Sequence, residues 1–201
     1  LLMVCGLSAT STVAAAEWLA TRDVLLEIYY SSDDPRGEMY VSEAERFAQR
    51  RPGIRVVARD LKENDANADR LKKIADHFLF DGSTGPVIYG CSQVIRTASD
   101  ARAVQEQLAG MLRFEVFVRD GCSRCAAAKE ILPGFLKTYP GFELVYRSVN
   151  RDSNAINEMN SLVRRHKASA ASTPIMHFCN QIQIGFDRSS ATTERLRKGL
   201  E

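Results

Sequence analysis

The sequence has little of what marks several classes of protein. It holds one tryptophan, three histidines and five cysteines in 201 residues, and five cysteines are too few for a scaffold held together by disulfides. Its 27 basic and 25 acidic side chains leave no charge excess of the kind that nucleic-acid-binding proteins carry, so no nucleic-acid partner is expected. After residue 17 no apolar run approaches the roughly 18 residues of a membrane-spanning helix. The 45% of hydrophobic residues predicts a globular protein with a packed core.

The first sixteen residues differ from the rest because they carry no charged side chain. They are mostly apolar or small, and they end in Ala14-Ala15-Ala16 directly before Glu17, as a secretory signal peptide ends at its cleavage site. We therefore expect residues 1–16 to be a signal peptide and the protein to be exported. In an exported protein, cysteines tend to be disulfide-bonded or redox-active. Four cysteines remain after this cleavage: Cys91, Cys122, Cys125 and Cys179.

The chain repeats itself with an offset of 88 residues and no gap. The matching pairs include Pro52-Gly53 and Pro140-Gly141, Glu27 and Glu115, Arg59 and Arg147, Pro86 and Pro174, and Cys91 and Cys179. Identities scattered in one constant register are hard to obtain by chance, so we interpret residues 17–112 and 113–201 as two copies of one fold. The first copy has a net charge of −3 and the second of +5, so an anionic partner should prefer the second.

Each copy is predicted to contain seven elements in the order β-α-β-α-β-β-α. In the first copy we expect them near 25–30, 42–50, 54–60, 67–80, 86–90, 94–97 and 101–112. In the second copy we expect them near 114–118, 122–138, 142–149, 154–166, 174–179, 182–186 and 192–200, with Pro133 kinking or ending the first helix. The first three strands are expected to pair in parallel through helical crossovers, and the last to add an antiparallel edge. The predicted class is α/β, with a mixed sheet flanked by helices in each copy.

The segment Cys122-Ser-Arg-Cys125 follows a predicted strand and opens a predicted helix. The backbone N–H groups at a helix N-terminus are unpaired and carry partial positive charge, which stabilises a thiolate. We therefore expect Cys122 to be the attacking thiolate, with Arg124 nearby lowering its pKa further. Cys125, one turn inward, is placed to resolve the mixed disulfide.

A proline opens the third predicted strand of each copy, in Thr173-Pro174 and in Gly85-Pro86. Proline cannot donate a hydrogen bond to a sheet, so its place at the start of a central strand needs a reason. Strand initiation is the simplest reason, but beside a Cys-x-x-Cys helix a cis proline facing the dithiol is the better interpretation. We expect the Thr173–Pro174 bond to be cis and Pro86 to share that geometry.

With these motifs the chain resembles the thioredoxin-like family. The resemblance in fold covers both copies, whereas the Cys-x-x-Cys motif is present only in the second copy. The resemblance implies that Cys122 is the nucleophile and Cys125 the resolving cysteine. It also implies that Thr173 and the cis Pro174 dock the backbone of the substrate, and that no cofactor or metal is needed.

Three features depart from that family, and one of them is that the helix proline, Pro133, falls later than usual. Asp120-Gly121 stand before the dithiol in place of the usual tryptophan, and Val116 stands where thioredoxins proper have a buried aspartate. An exported chain with paired units is instead similar to Dsb-type thiol:disulfide interchange domains. That likeness implies protein thiols and disulfides as partners, and a membrane electron-transfer partner or a membrane domain fused downstream, in the periplasm or another exported compartment.

The first copy is expected to perform no redox chemistry. The 88-residue offset places Asp34-Pro35-Arg36-Gly37 where the second copy has its dithiol. Asp34 before Pro35 suits a helix cap and first turn, so the helix start is kept while both sulfur atoms are absent.

Other interpretations stay open for the cysteines. Cys122, Cys125, His177 and Cys179 could form a zinc site, although a rise of about 3.3 Å per residue puts Cys179 roughly 16 Å beyond Pro174. The dithiol could also be a static disulfide in a binding or scaffold module. Cys91 and Cys179 are most simply small apolar residues of equivalent hairpin turns. A second redox pair linking the copies would require their Cα atoms within about 7 Å.

Overall fold

A computed structural model describes residues 21–82, 85–168 and 172–201. The predicted signal peptide, residues 1–16, lies outside the described residues. The first half, residues 21–112, contains β1 (Val24–Tyr30), α1 (Pro35–Gln49), β2 (Ile54–Asp60), α2 (Asp65–Phe78), β3 (Val87–Gly90), β4 (Gln93–Ile95) and α3 (Ala101–Met111). The second half, residues 113–201, contains β5 (Arg113–Val118), α4 (Ser123–Phe135), a 3-10 turn (Leu136–Thr138), β6 (Glu143–Ser148), α5 (Ser153–Arg165), β7 (Ile175–Phe178), β8 (Gln181–Ile184) and α6 (Ser190–Leu200).

Each half forms a four-stranded mixed sheet flanked by helices. The strand order is β2-β1-β3-β4 in the first sheet and β6-β5-β7-β8 in the second. The first two strands of each half pair in parallel, β1 with β2 and β5 with β6. The predicted fold class, α/β with a mixed sheet flanked by helices in each half, is confirmed. No helix within the described part of the chain is long and apolar enough to cross a membrane.

The prediction of three parallel strands is wrong for the third strand of each half. β3 runs antiparallel to β1, with Val87 opposite Tyr29, and β7 runs antiparallel to β5, with Ile175 opposite Phe117. An antiparallel β7 begins at the carboxyl end of β5, where the chain also leaves for α4. The loop that precedes β7 therefore lies at the same sheet edge as the start of α4. A parallel β7 would have started at the opposite edge.

Several boundaries also differ from the prediction. α1 begins at Pro35 rather than near residue 42, because Asp34 caps it by accepting a hydrogen bond of 2.9 Å from the Arg36 backbone N–H and proline is well tolerated at the first helical position. α4 continues through Pro133 and ends at Phe135, where the 3-10 turn takes over. The hairpin turn of the second half is Cys179-Asn180, one residue earlier than expected.

The halves share one hydrophobic core. A single cluster of buried side chains includes Leu26, Ile28 and Leu108 from the first half and Val116, Leu132 and Phe178 from the second. Only Leu112, itself buried, separates α3 from β5. Backbone hydrogen bonds cross the boundary as well, from the Glu143 N–H to the Leu112 carbonyl at 2.9 Å and from the Arg22 N–H to the Thr138 carbonyl at 2.7 Å.

Equivalent positions of the two halves meet at this boundary. A Cβ placed on Gly53 would lie 2.5 Å from Pro140 Cγ, and one placed on Gly141 would lie 2.7 Å from the Gly53 carbonyl oxygen. Pro52-Gly53 and Pro140-Gly141 are the same pair under the 88-residue offset. Contact between equivalent positions arises when two copies of a fold pack through the same surface. The close approach also explains why glycine is needed at both positions.

The central strand of each sheet carries a buried glutamate at the same place in the repeat. Glu27 on β1 is 1% exposed and accepts hydrogen bonds from Arg59 Nε at 2.8 Å and Arg70 Nε at 3.0 Å. Burial raises the pKa of Glu27, but the hydrogen bonds from Arg70 and Arg59 outweigh it, so the pKa lies below its ordinary value. Glu115 on β5 lies 3.5 Å from His177 Nδ1, and this contact, against the opposing effect of burial, likewise lowers the pKa of Glu115.

Replacing Glu27 by glutamine should lower the free energy of unfolding by about 1–3 kcal/mol, because two arginines then face a neutral amide in a buried site. A lowered carboxyl pKa contributes stability that is complete above the unfolded pKa, about 4.5, and is lost as the pH falls through the folded value. Urea unfolding should therefore show a constant difference between wild type and variant at neutral pH, shrinking below about pH 4.

Glu106→Gln is the control for this prediction, since Glu106 forms an exposed ion pair with Arg102 on α3. Exposed pairs of this kind contribute little, so its unfolding free energy should stay nearly unchanged. Equal losses in the two variants would contradict a special role for the buried carboxylate.

Candidate active site

Cys122 is the N-cap residue of α4. Its backbone is extended, and its Sγ accepts a hydrogen bond from the Cys125 backbone N–H at 3.1 Å, in the place where a cap usually has a side-chain oxygen. Gly121 precedes it with φ +72°, a conformation that residues with a side chain rarely adopt. The turn into α4 is further held by Asp120, whose N–H donates to Asn150 Oδ1 at 3.0 Å.

Cys122 and Cys125 form a disulfide with their Cα atoms 5.2 Å apart. Cys125 is 2% exposed, whereas Cys122 is only half-buried. The two sulfur atoms therefore differ in access, and an incoming thiolate can reach Cys122 but not Cys125. Such a difference favours attack at one sulfur of the pair.

The loop before β7 lies against the Cys122 sulfur. Cys122 Sγ is 3.6 Å from the Thr173 carbonyl oxygen and 3.7 Å from Thr173 Oγ1. The Thr173–Pro174 bond is cis, the geometry expected from the sequence. The Gly185 N–H donates to the Pro174 carbonyl at 2.8 Å, which ties this loop to the end of β8. Antiparallel entry of β7 thus places Thr173, directly followed by Pro174, beside the Cys122–Cys125 disulfide.

Pro86 does not share the geometry of Pro174, and that expectation is wrong. Within the described residues the cis bond at Pro174 stands alone. Gly85 adopts φ +69° instead, and Arg36 Nη2 would lie 2.9 Å from a Cβ placed on it. In the first half, the guanidinium of Arg36, paired with Asp34 at 2.8 Å, therefore occupies the space beside the proline loop. The carboxylate of Asp34 caps α1 where the sulfur of Cys122 caps α4.

A cleft of about 780 Å³ opens beside the disulfide. Its walls include Cys122 and Thr173 together with apolar and cationic side chains: Arg119, Arg124, Ile156 and Met159. Ile156 on α5 stands 39% exposed. Arg124 is exposed and shares the cleft with Cys122, and its Nη1 also reaches to 3.8 Å from the Cβ position of Gly185.

The cleft residues of α5 were not anticipated from the sequence. Asn154–His166 was predicted as a helix, but its pattern gives no sign that Ile156 and Met159 would face the dithiol. An exposed isoleucine on an otherwise amphipathic helix is the one signal that could have indicated a contact surface.

The structure does not bring the four residues of the zinc interpretation together: Cys122 and Cys125 are bonded to each other, but His177 and Cys179 have other surroundings. His177 contacts Glu115 on the neighbouring strand, and Cys179 lies on the turn at the far end of β7 from Pro174. Across the described residues, no group of three or more histidine, cysteine, aspartate and glutamate side chains is placed to hold a metal ion.

The chain matches no protein-family model and no curated protein. Among solved structures it is similar to the NTD_N/C domain of alkylhydroperoxide reductase AhpF from Enterococcus faecalis, at 14% identity and a TM-score of 0.30, over 94% of this chain and 95% of that one. It is also similar to ERdj5 form I, at 12% identity and a TM-score of 0.33, over 97% of this chain and 30% of that one. Likenesses this weak identify neither a family nor a function, so both questions depend on the strand order and site geometry described above.

Removing the Thr173 hydroxyl should weaken the nucleophile. In the reduced protein this hydroxyl can donate to a Cys122 thiolate, so Thr173→Val should shift the pH dependence of Cys122 alkylation upward and slow the reaction at pH 7 by about two- to fivefold. Thr173→Ser keeps the hydroxyl and should behave like wild type. The measurement is the rate of iodoacetamide labelling of Cys122 against pH. Identical profiles for all three proteins would show that the hydroxyl has no influence.

Proposed function

We propose that the protein is an exported thiol:disulfide oxidoreductase that exchanges the Cys122–Cys125 pair with thiols and disulfides of partner proteins. The observation that carries the proposal is a disulfide at a helix N-terminus, with one accessible and one buried sulfur, facing the Thr173-Pro174 loop. A static disulfide in a scaffold protein has no need of this asymmetry.

In the oxidising direction, a partner thiolate attacks Cys122 Sγ and breaks the Cys122–Cys125 bond. The electron pair goes to Cys125, which takes up a proton, and a mixed disulfide with the partner remains on Cys122. A second partner thiolate attacks the partner's sulfur, forms the partner's disulfide and releases Cys122 as a thiolate. The Cys125 N–H and the Thr173 hydroxyl lie where they stabilise that charge. In the reducing direction, Cys122 attacks a partner disulfide and Cys125 resolves the intermediate.

The cleft beside Cys122 fits an extended polypeptide segment. Ile156 and Met159 offer apolar contact, and Arg119 and Arg124 offer positive charge. We propose that the Thr173-Pro174 loop docks the substrate backbone and that Arg124 lowers the pKa of Cys122. The net charge of +5 over residues 113–201 favours partners that are acidic around their cysteines.

The proposed setting is the periplasm or another exported compartment, as for Dsb-type interchange domains. Residues 1–16 act as the signal peptide, 17–112 as a unit without a dithiol and 113–201 as the redox domain. Electrons are exchanged with a membrane electron-transfer protein, or with a membrane domain fused to the same chain. Support for this setting comes from the uncharged leader and its alanine-rich end.

The cysteine variants test the proposal. Cys122→Ser should abolish catalysed reduction of insulin disulfides by dithiothreitol, because the attacking sulfur is gone. Cys125→Ser should accumulate mixed disulfides, visible on non-reducing gels, because nothing resolves them. Ser123→Ala, between the two cysteines and outside the exchange, is the matched control and should keep wild-type turnover. Wild-type turnover in both cysteine variants would instead indicate a static disulfide.

Asp34→Ala should leave turnover of the full chain nearly unchanged. Asp34 occupies the position of Cys122 in the first half, and a carboxylate cannot exchange disulfides. The variant loses the cap of α1, so turnover is measured well below its Tm. A loss of turnover at a temperature where the variant is fully folded would show that the first half takes part in the chemistry.

A further inference from the structure

The two remaining described cysteines meet across the boundary between the halves. Cys91 lies on the β3–β4 turn and Cys179 on the β7–β8 turn, and neither is in a disulfide. Both side chains line the same cleft between the halves, and the interaction with Cys179 raises the pKa of Cys91. Cys179 belongs to the shared hydrophobic core and Cys91 packs against that core, so both serve as the small apolar residues expected from the sequence, and in addition they lie close together. The 88-residue offset makes the two positions equivalent, and like Gly53 and Gly141 they meet because the halves pack through the same surface.

The turns themselves do not require cysteine. Both turns have two residues with positive φ, 47° and 51° at Cys91 and Ser92, and 44° and 54° at Cys179 and Asn180. Turns of this kind favour asparagine, aspartate and glycine, and a cysteine with positive φ is uncommon. The backbone conformation of the turns therefore does not explain why both have a cysteine. The proximity of the two side chains does explain it.

We propose that Cys91 and Cys179 are a second redox site, a dithiol that closes to a disulfide joining the two hairpins and with them the two halves. The oxidant is a low-molecular-weight disulfide such as oxidised glutathione. One cysteine attacks it, loses its proton, forms a mixed disulfide and releases one glutathione thiol. The other cysteine then displaces the second glutathione. Overall the two thiols lose two protons and two electrons, and the oxidant becomes two thiols.

A cleft between the halves gives the oxidant access. It has a volume of about 430 Å³, and both Cys91 and Cys179 line it. Cys91 is the more exposed of the two, since Cys179 is only 2% exposed. The interaction with Cys179 and burial both raise the pKa of Cys91, so the Cys91 thiol is protonated at neutral pH and the pair should close more slowly than Cys122 and Cys125.

Closure would tie together residues 88 positions apart. A crosslink over such a long loop restricts the unfolded chain strongly and so stabilises the folded one. The expected consequence is that oxidation raises the Tm of the protein by about 5–10 °C. This effect does not depend on the proposed catalytic activity of the other pair.

The test uses the full chain with Cys5→Ser, Cys122→Ser and Cys125→Ser, so that only Cys91 and Cys179 can react. The reduced protein is incubated with oxidised glutathione, quenched in acid, unfolded, alkylated and mapped by peptide mass spectrometry. We expect a peptide pair linked through Cys91 and Cys179, and the Tm increase given above. Adding Cys91→Ser to this background removes the partner thiol and should abolish both results.

Three outcomes would overturn the proposal: both thiols alkylated after prolonged incubation, glutathione retained on Cys91 without closure, or a crosslink without any gain in Tm. The same oxidation is carried out on the protein that keeps Cys122 and Cys125, and it must give the same linked peptide. This second measurement decides the question if the variant with three serine substitutions does not fold. If Cys122 and Cys125 are not catalytic, only the turnover measurements of the cysteine variants would show it. The linked peptide of Cys91 and Cys179 would still form.

Discussion

The antiparallel pairing of β7 with β5 decides where chemistry can occur in this protein. Because β7 begins opposite the carboxyl end of β5, Thr173 and Pro174 arrive at the sheet edge from which α4 departs. The Cys122 sulfur at the cap of α4 therefore lies both at the helix N-terminus and beside the carbonyl and hydroxyl of Thr173. The first half has the same strand directions, so its topology prepares the same place, but an aspartate–arginine pair occupies it. The fold provides the same location in both halves, and the cysteine pair lies at this location in the second half.

Packing between the halves follows from their similarity. Two copies that associate through the same surface bring each residue near its own equivalent, and this is seen at the Pro-Gly turns and at the hairpin cysteines. The shared core that results spans both halves, and each half also buries a smaller apolar cluster of its own. The buried glutamates Glu27 and Glu115 lie on β1 and β5, and each forms an ion pair with an arginine of the neighbouring parallel strand, Arg59 and Arg147.

Sequence reasoning reached the elements and the dithiol because both are local features. The order of elements, the cap at Asp34 and the sulfur at the start of α4 follow from residue types within a few positions of one another. Strand direction is different, since Val87–Gly90 and Ile175–Phe178 would carry the same apolar pattern in a parallel or an antiparallel pairing. The expectation of a cis bond at Pro86 is wrong in a region where the guanidinium of Arg36, distant in sequence, lies beside Gly85. The Cys91–Cys179 contact depends on how whole halves pack, and an offset in sequence does not reveal that.

The two cysteine pairs lie at opposite ends of the same strand. Pro174 precedes β7 beside Cys122, while Cys179 follows β7, and five residues of extended chain between them correspond to roughly 16 Å. Thiol–disulfide exchange requires sulfur atoms in contact, so the pairs cannot exchange directly within one folded molecule. Electrons could pass between them only through a small thiol or a second molecule. Under the two proposals, the pair at Cys122 would therefore turn over with partners while the pair at the hairpins keeps its own redox state, so that one pair acts in exchange and the other on the stability of the assembled halves.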